Sequence, residues 1–246
     1  DTPGGTGNDP WNSTAPTSTH FSVKTDGQVN GNGNNFIAYL FAGGVGSSDN
    51  AVSFDGSSSL TVANGSGIDI GTNDFTMECF INVQTSTSPG NHDVICASSL
   101  YLGGTGNSFT MYAYDNGGIR IFRSLTGNWT ASAVTNVYSL NTWTHVAWVR
   151  SGTGTNNNKV YVNGEMVMEF SDNTNYSSGQ KFYLGASDYD QVGTPDEYGL
   201  TGKISNFRFI NGQALYKTNF NPPLDPLTTT SQGADSSKVK LLCCNG

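Results

Sequence analysis

The segment from Asn141 to Gly164, NTWTHVAWVRSGTGTNNNKVYVNG, constrains the fold more than any other. From Thr142 to Arg150 it alternates, with Trp143, His145, Ala147 and Val149 on one face and Thr144, Val146, Trp148 and Arg150 on the other. That is the period-two pattern of a strand, and because neither face is plainly polar it predicts a strand covered on both sides. After the polar loop from Ser151 to Asn158, Lys159 to Val162 reads as a second strand and Glu165 to Phe170 as a third. Asn163-Gly164 between them suits a type I′ turn, whose two central residues both need positive φ. The three strands predict an antiparallel meander on which the rest of the chain packs.

Composition agrees with an all-β reading. With 31 glycines and charged residues at only 12%, the chain reads as short strands joined by tight turns, and no helical period is found. Aromatics at 11% supply the large side chains that a sandwich core needs. The net charge is −8, and Arg120, Arg123, Arg150 and Arg208 are spread along the chain. That argues against nucleic-acid binding and against an anionic membrane surface, both of which need concentrated positive charge. No apolar run approaches the roughly 20 residues of a membrane span, so no membrane insertion is expected. The start at Asp1, without a basic-then-apolar leader, suggests a processed product or part of something longer. Cys79 and Cys96 sit in apolar runs and read as small buried hydrophobes rather than a disulfide, and a bridge between adjacent Cys243 and Cys244 would be strained.

Residues 1–44 read as the end of an upstream β-rich module plus linker, with strands expected at Thr19 to Lys24 and Asn35 to Ala42. The regular pattern starts at Ala51, and about a dozen strands follow up to Ile210, more than one open sheet tolerates without splitting into two stacked layers. Imperfect alternation of Ile204, Phe207 and Phe209 predicts a bulge at Asn206. The three prolines of Phe220 to Pro226 exclude a central strand and predict a segment crossing the outside of the sandwich. Residues 227–246 read as a tail whose apolar run, Val239 to Cys244, enters a further module.

The motifs Val52-Ser53-Phe54-Asp55-Gly56, Asn73 to Glu78, Trp143 to Ala147 with Arg150, Val160 to Gly164, Tyr183 to Ala186 and Gly202 to Arg208 occur in the order seen in concanavalin A-like, laminin G-like jelly rolls. The stretch 51–226 thus resembles that family. The resemblance implies a two-sheet antiparallel jelly-roll sandwich, here with a small N-terminal β appendage. A narrower resemblance is carried by Ile204 to Arg208, Gly212 to Tyr216, Asn219 to Pro223, Lys240 to Cys244, Trp11 to Ser18 and Phe36 to Ala42. These are similar to laminin G-like modules, and the β-rich modules before them, in virion proteins of marine tailed phages. That implies a structural or display module of a fibre, appendage or capsid decoration at the virion surface. Its expected partners are other virion chains, in a homo-oligomer, and host-surface polysaccharide. A secreted or cell-surface bacterial lectin or adhesin is the alternative, and a glycoside hydrolase a distant third.

A hydrolase of this fold needs two carboxylates reaching one groove. The glutamates are Glu78, Glu165, Glu169 and Glu197, and no strand carries acids at i, i+2 and i+4. Glu78 reads as a solvent-facing strand residue, and His145, within a two-sided strand, as a structural hydrogen-bonded histidine. No Gly-x-Ser-x-Gly elbow or zinc spacing exists, so no catalytic residue is assigned. Asp188, Asp190, Asp196 and Glu197 form the densest acidic loop and could supply several of the six to eight oxygens that calcium wants, or be simply solvated. For glycan stacking the candidates are Tyr101, Tyr114, Trp129 and Tyr189, all read as lying in or near loops. They could equally cover sandwich edges or meet a neighbouring chain.

Overall fold

In the computed structural model of the chain, residues 51–62, 68–84, 92–98, 107–125, 128–176, 181–186 and 198–245 are described. Their strands, in chain order, are β1 (Ala51–Asp55), β2 (Leu60–Val62), β3 (Phe75–Val83), β4 (His92–Ser98), β5 (Ser108–Tyr114), β6 (Ile119–Leu125) and β7 (Asn128–Val134). The second half adds β8 (Thr144–Arg150), β9 (Asn158–Val162), β10 (Glu165–Phe170), β11 (Phe182–Leu184), β12 (Thr201–Asn211) and β13 (Val239–Cys243). They build two antiparallel sheets that form a jelly-roll-like sandwich. A seven-stranded sheet runs β1-β12-β3-β8-β9-β10 with β13 also on β12, and a six-stranded sheet runs β2-β11-β4-β5-β6-β7. The expected N-terminal strands lie outside the described residues.

Strand β8 is covered on both faces, as its alternation predicts, with every residue buried. Val146 and Trp148 enter the core between the sheets, beside Phe75, Met77 and Ile81 of β3 and Phe109, Met111 and Phe182 from the other sheet. Trp148 is fully buried and receives Phe75 edge-on at 4.8 Å and Phe109 at 5.2 Å, so three rings bridge the two layers. Its indole N–H donates to Asn158 Oδ1 at 3.0 Å, which satisfies its one polar atom. On the opposite face Ala147, Val149 and Tyr161 pack under Leu215, Tyr216 and Phe220. Residues 212–231 thus form a strap over the outer face of the seven-stranded sheet. It is fastened by Leu215 N–H to Thr76 Oγ1 at 3.0 Å, Lys159 Nζ to the Lys217 carbonyl at 2.8 Å, and stacked Tyr216 and Phe220 rings 3.6 Å apart.

The expected bulge is present. The register of β12 against β3 shifts between Ser205 and Arg208, and Asn206 has φ 53°. The extra residue lets Ile204, Phe207 and Phe209 all face the core while Arg208 turns to the outer face.

Val239–Cys243, read from the sequence as the entry to a further module, instead pairs with the second half of β12, Cys243 opposite Phe207 and Leu242 opposite Arg208. β1 pairs with the first half, Thr201 to Ser205. The sheet therefore continues past Pro226, because β12 is long enough to carry two partners on one edge. Cys79 and Cys96 are buried free thiols, and Cys243 and Cys244 are also unbridged.

Asn163 and Gly164 take φ 49° and 81°, the type I′ turn expected of them. A Cβ on Gly164 would collide with the carbonyl oxygen of Phe220, and the Gly164 carbonyl accepts the Phe220 N–H at 3.0 Å. Gly164→Ala is therefore expected to lower unfolding free energy by about 1–3 kcal/mol, from the unfavourable backbone conformation and from pushing off the strap. Urea unfolding followed by tryptophan fluorescence measures it, and an unchanged midpoint would show that the strap is not held at this turn.

Candidate functional site

The two sheets present different chemistry on their outer faces. On the seven-stranded sheet the strap encloses a polar cluster. Glu78 Oε1 accepts from Arg208 Nε at 2.9 Å and Nη2 at 2.6 Å, while Oε2 accepts the Tyr216 hydroxyl at 2.8 Å and lies 3.2 Å from His145 Nε2. Arg208 Nη1 donates to the carbonyls of Thr228 and Ser231 at 2.7 and 2.9 Å. Glu78, His145 and Arg208 are fully buried, and Tyr216 nearly so.

Glu78 is thus not the solvent-facing residue that alternation predicts. The face opposite the core is closed by the strap, and a carboxylate there survives burial because Arg208, His145 and Tyr216 compensate it. Burial acts to raise its pKa, but the His145 contact, the Arg208 charge and the Tyr216 hydrogen bond together hold it below the ordinary glutamate value. His145 is the structural, hydrogen-bonded histidine expected. With both Glu78 oxygens engaged and the residues around it buried, the cluster is built to hold the strap.

The six-stranded sheet carries a different surface. Phe109, Met111 and Ala113 of β5 and Ile119 and Ile121 of β6 point into the core. Alternation therefore places Thr110, Tyr112 and Tyr114, with Arg120 and Phe122, on the outer face. His92 and Val94 join them as the cross-strand partners of Tyr114 and Tyr112. The His92 ring meets Tyr114 edge-on at 4.5 Å, Tyr112 at 5.5 Å and Tyr198 at 5.7 Å, so one imidazole gathers three phenols. Tyr198 is held there by its carbonyl, which accepts the Val94 N–H at 2.9 Å. Arg120 Nη1 donates to the Tyr114 hydroxyl at 2.9 Å, and its guanidinium lies 5.6 Å from the Phe122 ring centre. His92, Tyr112, Tyr114, Arg120, Phe122 and Tyr198 are all only partly buried. Desolvation, then the Arg120 charge, holds His92 below its usual pKa, leaving it a neutral donor and acceptor near pH 7.

Of the predicted ligand residues, Tyr114 joins this cluster. Trp129, read as in or near a loop, lies in strand β7 opposite Ser124, one residue past the strand's start at Asn128. Tyr101 and Tyr189, and the acidic residues Asp188, Asp190, Asp196 and Glu197 with their expected calcium, lie outside the described residues. Among the described residues no group of three or more His, Cys, Asp or Glu could hold a metal ion. Tyr112, His92, Arg120 and Tyr198 were not singled out from the sequence. The signal was available in part, since Phe109, Met111 and Ala113 facing inward leave Tyr112 and Tyr114 facing outward together.

A family model described as the concanavalin A-like lectin/glucanases superfamily matches residues 54–217. The chain belongs to this superfamily. Among solved structures, this concanavalin A-like chain is similar to the CBM40 of the Ruminococcus gnavus IT-sialidase bound to α2,3-sialyllactose. That match has 14% identity and TM-score 0.50 and covers 71% of this chain and 95% of that one. It is also similar to the K499G mutant of the NanB sialidase from Streptococcus pneumoniae, at 16% identity and TM-score 0.51 over 68% of this chain. There the match spans only 26% of the NanB chain. At such identities the likeness is one of fold. No curated protein matches the chain.

The closed cluster gives the concanavalin A-like domain an acid-sensitive latch. The folded-state carboxyl of Glu78 sits below its ordinary 4.5, so its stabilisation is fully present above that pH and is lost as pH falls through the folded-state value. Glu78→Gln is expected to lower unfolding free energy at pH 7 by roughly 3–5 kcal/mol, by leaving Arg208 without its counter-charge, and to flatten the loss of stability below pH 4.5. Chemical unfolding at a series of pH values reads both effects, and an unchanged acid slope would assign that slope to other carboxylates.

Proposed function

We propose that this concanavalin A-like domain is a non-enzymatic glycan-binding module, borne by a phage virion protein as part of a fibre, appendage or capsid decoration. The observation that carries the glycan reading is the outer face of the six-stranded sheet, where Tyr112, Tyr114 and Tyr198 meet around His92 beside Arg120. Aromatic faces take the apolar face of a pyranose, and phenol, imidazole and guanidinium groups take its hydroxyls. All but Tyr198 stand on strands, so most of the surface is preformed and binding orders little of the protein. The similar CBM40 structure bound to sialyllactose supports a module of this fold as a sugar binder.

The non-enzymatic reading is supported by where the described glutamates are spent. Glu78 is sealed under the strap, Glu169 accepts from Asn156 Nδ2 at 3.0 Å, and Glu165 accepts from Asn219. The virion assignment rests on the sequence resemblance of residues 204–208, 212–216, 219–223 and 240–244. In that setting the domain stands at the virion surface, in a homo-oligomer with other virion chains, and host-surface polysaccharide is its ligand.

On a glycan array the intact chain is expected to give a defined set of bound glycans, and Tyr112→Ala to weaken them by roughly ten- to hundred-fold without a shift in melting temperature, since each stacked ring contributes about 1–3 kcal/mol. An EDTA arm reads whether calcium at Asp188, Asp190, Asp196 and Glu197 takes part. Binding to no glycan, or sugar release from a bound polysaccharide, would overturn the reading. Neighbouring capsid or tail genes around the full reading frame are expected, and a secretion signal with cell-wall genes would favour a bacterial surface lectin.

A further inference from the structure

The four arginines divide into three consumed by the fold and one that is not. Arg150 gives its guanidinium to the carbonyls of Asn73, Thr174 and Gly71, each at 2.8 Å. Arg208 is spent on Glu78, Thr228 and Ser231. Arg123 is buried, donates to Ser132 Oγ at 3.0 Å and lies 4.4 Å over the Phe170 ring. Arg120 alone is partly exposed. Among the described residues its one hydrogen bond runs from Nη1 to the Tyr114 hydroxyl. A guanidinium carries five N–H donors in a planar fork, so Nε and Nη2 stay available.

Its surroundings keep it so. Arg120 lies between its cross-strand partners Tyr112 on β5 and Ala133 on β7, and Phe122 between Thr110 and Ala131. The alanines on the β7 side are too short to cap the guanidinium. The Tyr114 hydroxyl on β5 and the Phe122 ring, two residues along its own strand, orient it, so the fork is held rather than swinging in solvent. No carboxylate of a described residue neutralises it, although acids outnumber bases by 19 to 11 in the chain.

We propose that Arg120 is the anion-recognising residue of this surface, and that the ligand is an acidic glycan whose carboxylate or sulfate ester is held by the Arg120 fork while its ring packs on Tyr112 and Tyr114. This rests on the reading of the surface as a glycan site. A chain of net charge −8 repels polyanions at long range, but near physiological salt that repulsion is screened beyond about 8 Å, whereas a positioned fork acts at contact.

The test uses the intact chain and three probes in isothermal titration at physiological salt: oligogalacturonate for the carboxylate, a sulfated galacto-oligosaccharide for the sulfate ester, and a neutral galacto-oligosaccharide. One of the two acidic probes is expected to bind best, which identifies the anion. Arg120→Gln is expected to weaken that binding by roughly ten- to hundred-fold, the worth of charge-assisted hydrogen bonds, and Arg120→Lys, which keeps charge but loses the fork, by less. Tyr112→Ala is expected to weaken it too, and unchanged melting temperatures separate these effects from misfolding. If the neutral probe binds as well as the acidic ones, or Arg120→Gln binds normally, the acidic-glycan proposal falls and the glycan reading stands. If none of the three binds and the array is also blank, both fall.

Discussion

A carboxylate and a guanidinium buried together on the outer face of a sheet set the terms for the rest of this molecule. Removing the Glu78 and Arg208 charges from water is expensive, and their mutual attraction offsets it only when the remaining donors and acceptors are also filled. Here Tyr216 and His145 complete the carboxylate, and the carbonyls of Thr228 and Ser231 complete the guanidinium. Of these four only His145, on β8, lies outside the strap, while Glu78 stands on β3 and Arg208 on the second half of β12. The pair therefore works as an address for the strap, because a shifted strap would leave a charge buried without partners. That is more a matter of specificity than of net stabilisation. With one outer face given over to this closure, the aromatic and cationic side chains of the other sheet are, among the described residues, the surface on which the glycan proposal rests.

The bulge at Asn206 is the backbone event behind the pair. Strict alternation from Ile204 would send Arg208 into the apolar core, where no acid waits for it. One residue in the left-handed region, which asparagine tolerates, reverses the alternation and brings Arg208 opposite Glu78. The same residue joins the chain's later parts. Its side-chain oxygen accepts the Leu227 N–H at 2.9 Å, and its own N–H donates to the Cys244 carbonyl at 2.7 Å.

What could be read from the sequence follows from how local the deciding contacts are. The two-sided cover of Thr144–Arg150, the Asn163-Gly164 turn and the bulge are written in neighbouring residues, and they were legible. Glu78 was misread because the groups that bury it lie far away in sequence, Arg208 130 positions on and Tyr216 138. A polar residue alternating with Met77 and Cys79 looks solvent-facing until something covers that face. The aromatic site is intermediate: Tyr112 and Tyr114 are separated from Phe109 and Met111 by alternation alone. That His92 and Tyr198 converge on them depends on β4 pairing with β5 and on the Tyr198–Val94 hydrogen bond, which no local pattern encodes.

The placement of β13 bears on where such a module ends. The resemblance to jelly rolls ran out at Pro226, where the prolines end the repeating strand pattern. Yet the carbonyls that satisfy Arg208 belong to Thr228 and Ser231, and the strand that fills the second half of the β12 edge ends at Cys243. A chain stopped at Pro226 would keep both sheets but would strip the buried guanidinium of two of its acceptors. It would also open a row of unpaired backbone groups on a β12 edge that is otherwise apolar, and such edges recruit other chains. The folded unit therefore extends past the recognisable stretch, because Thr228 and Ser231 complete the buried guanidinium while Leu241 and Cys243 of β13 pack against the sandwich core along the β12 edge.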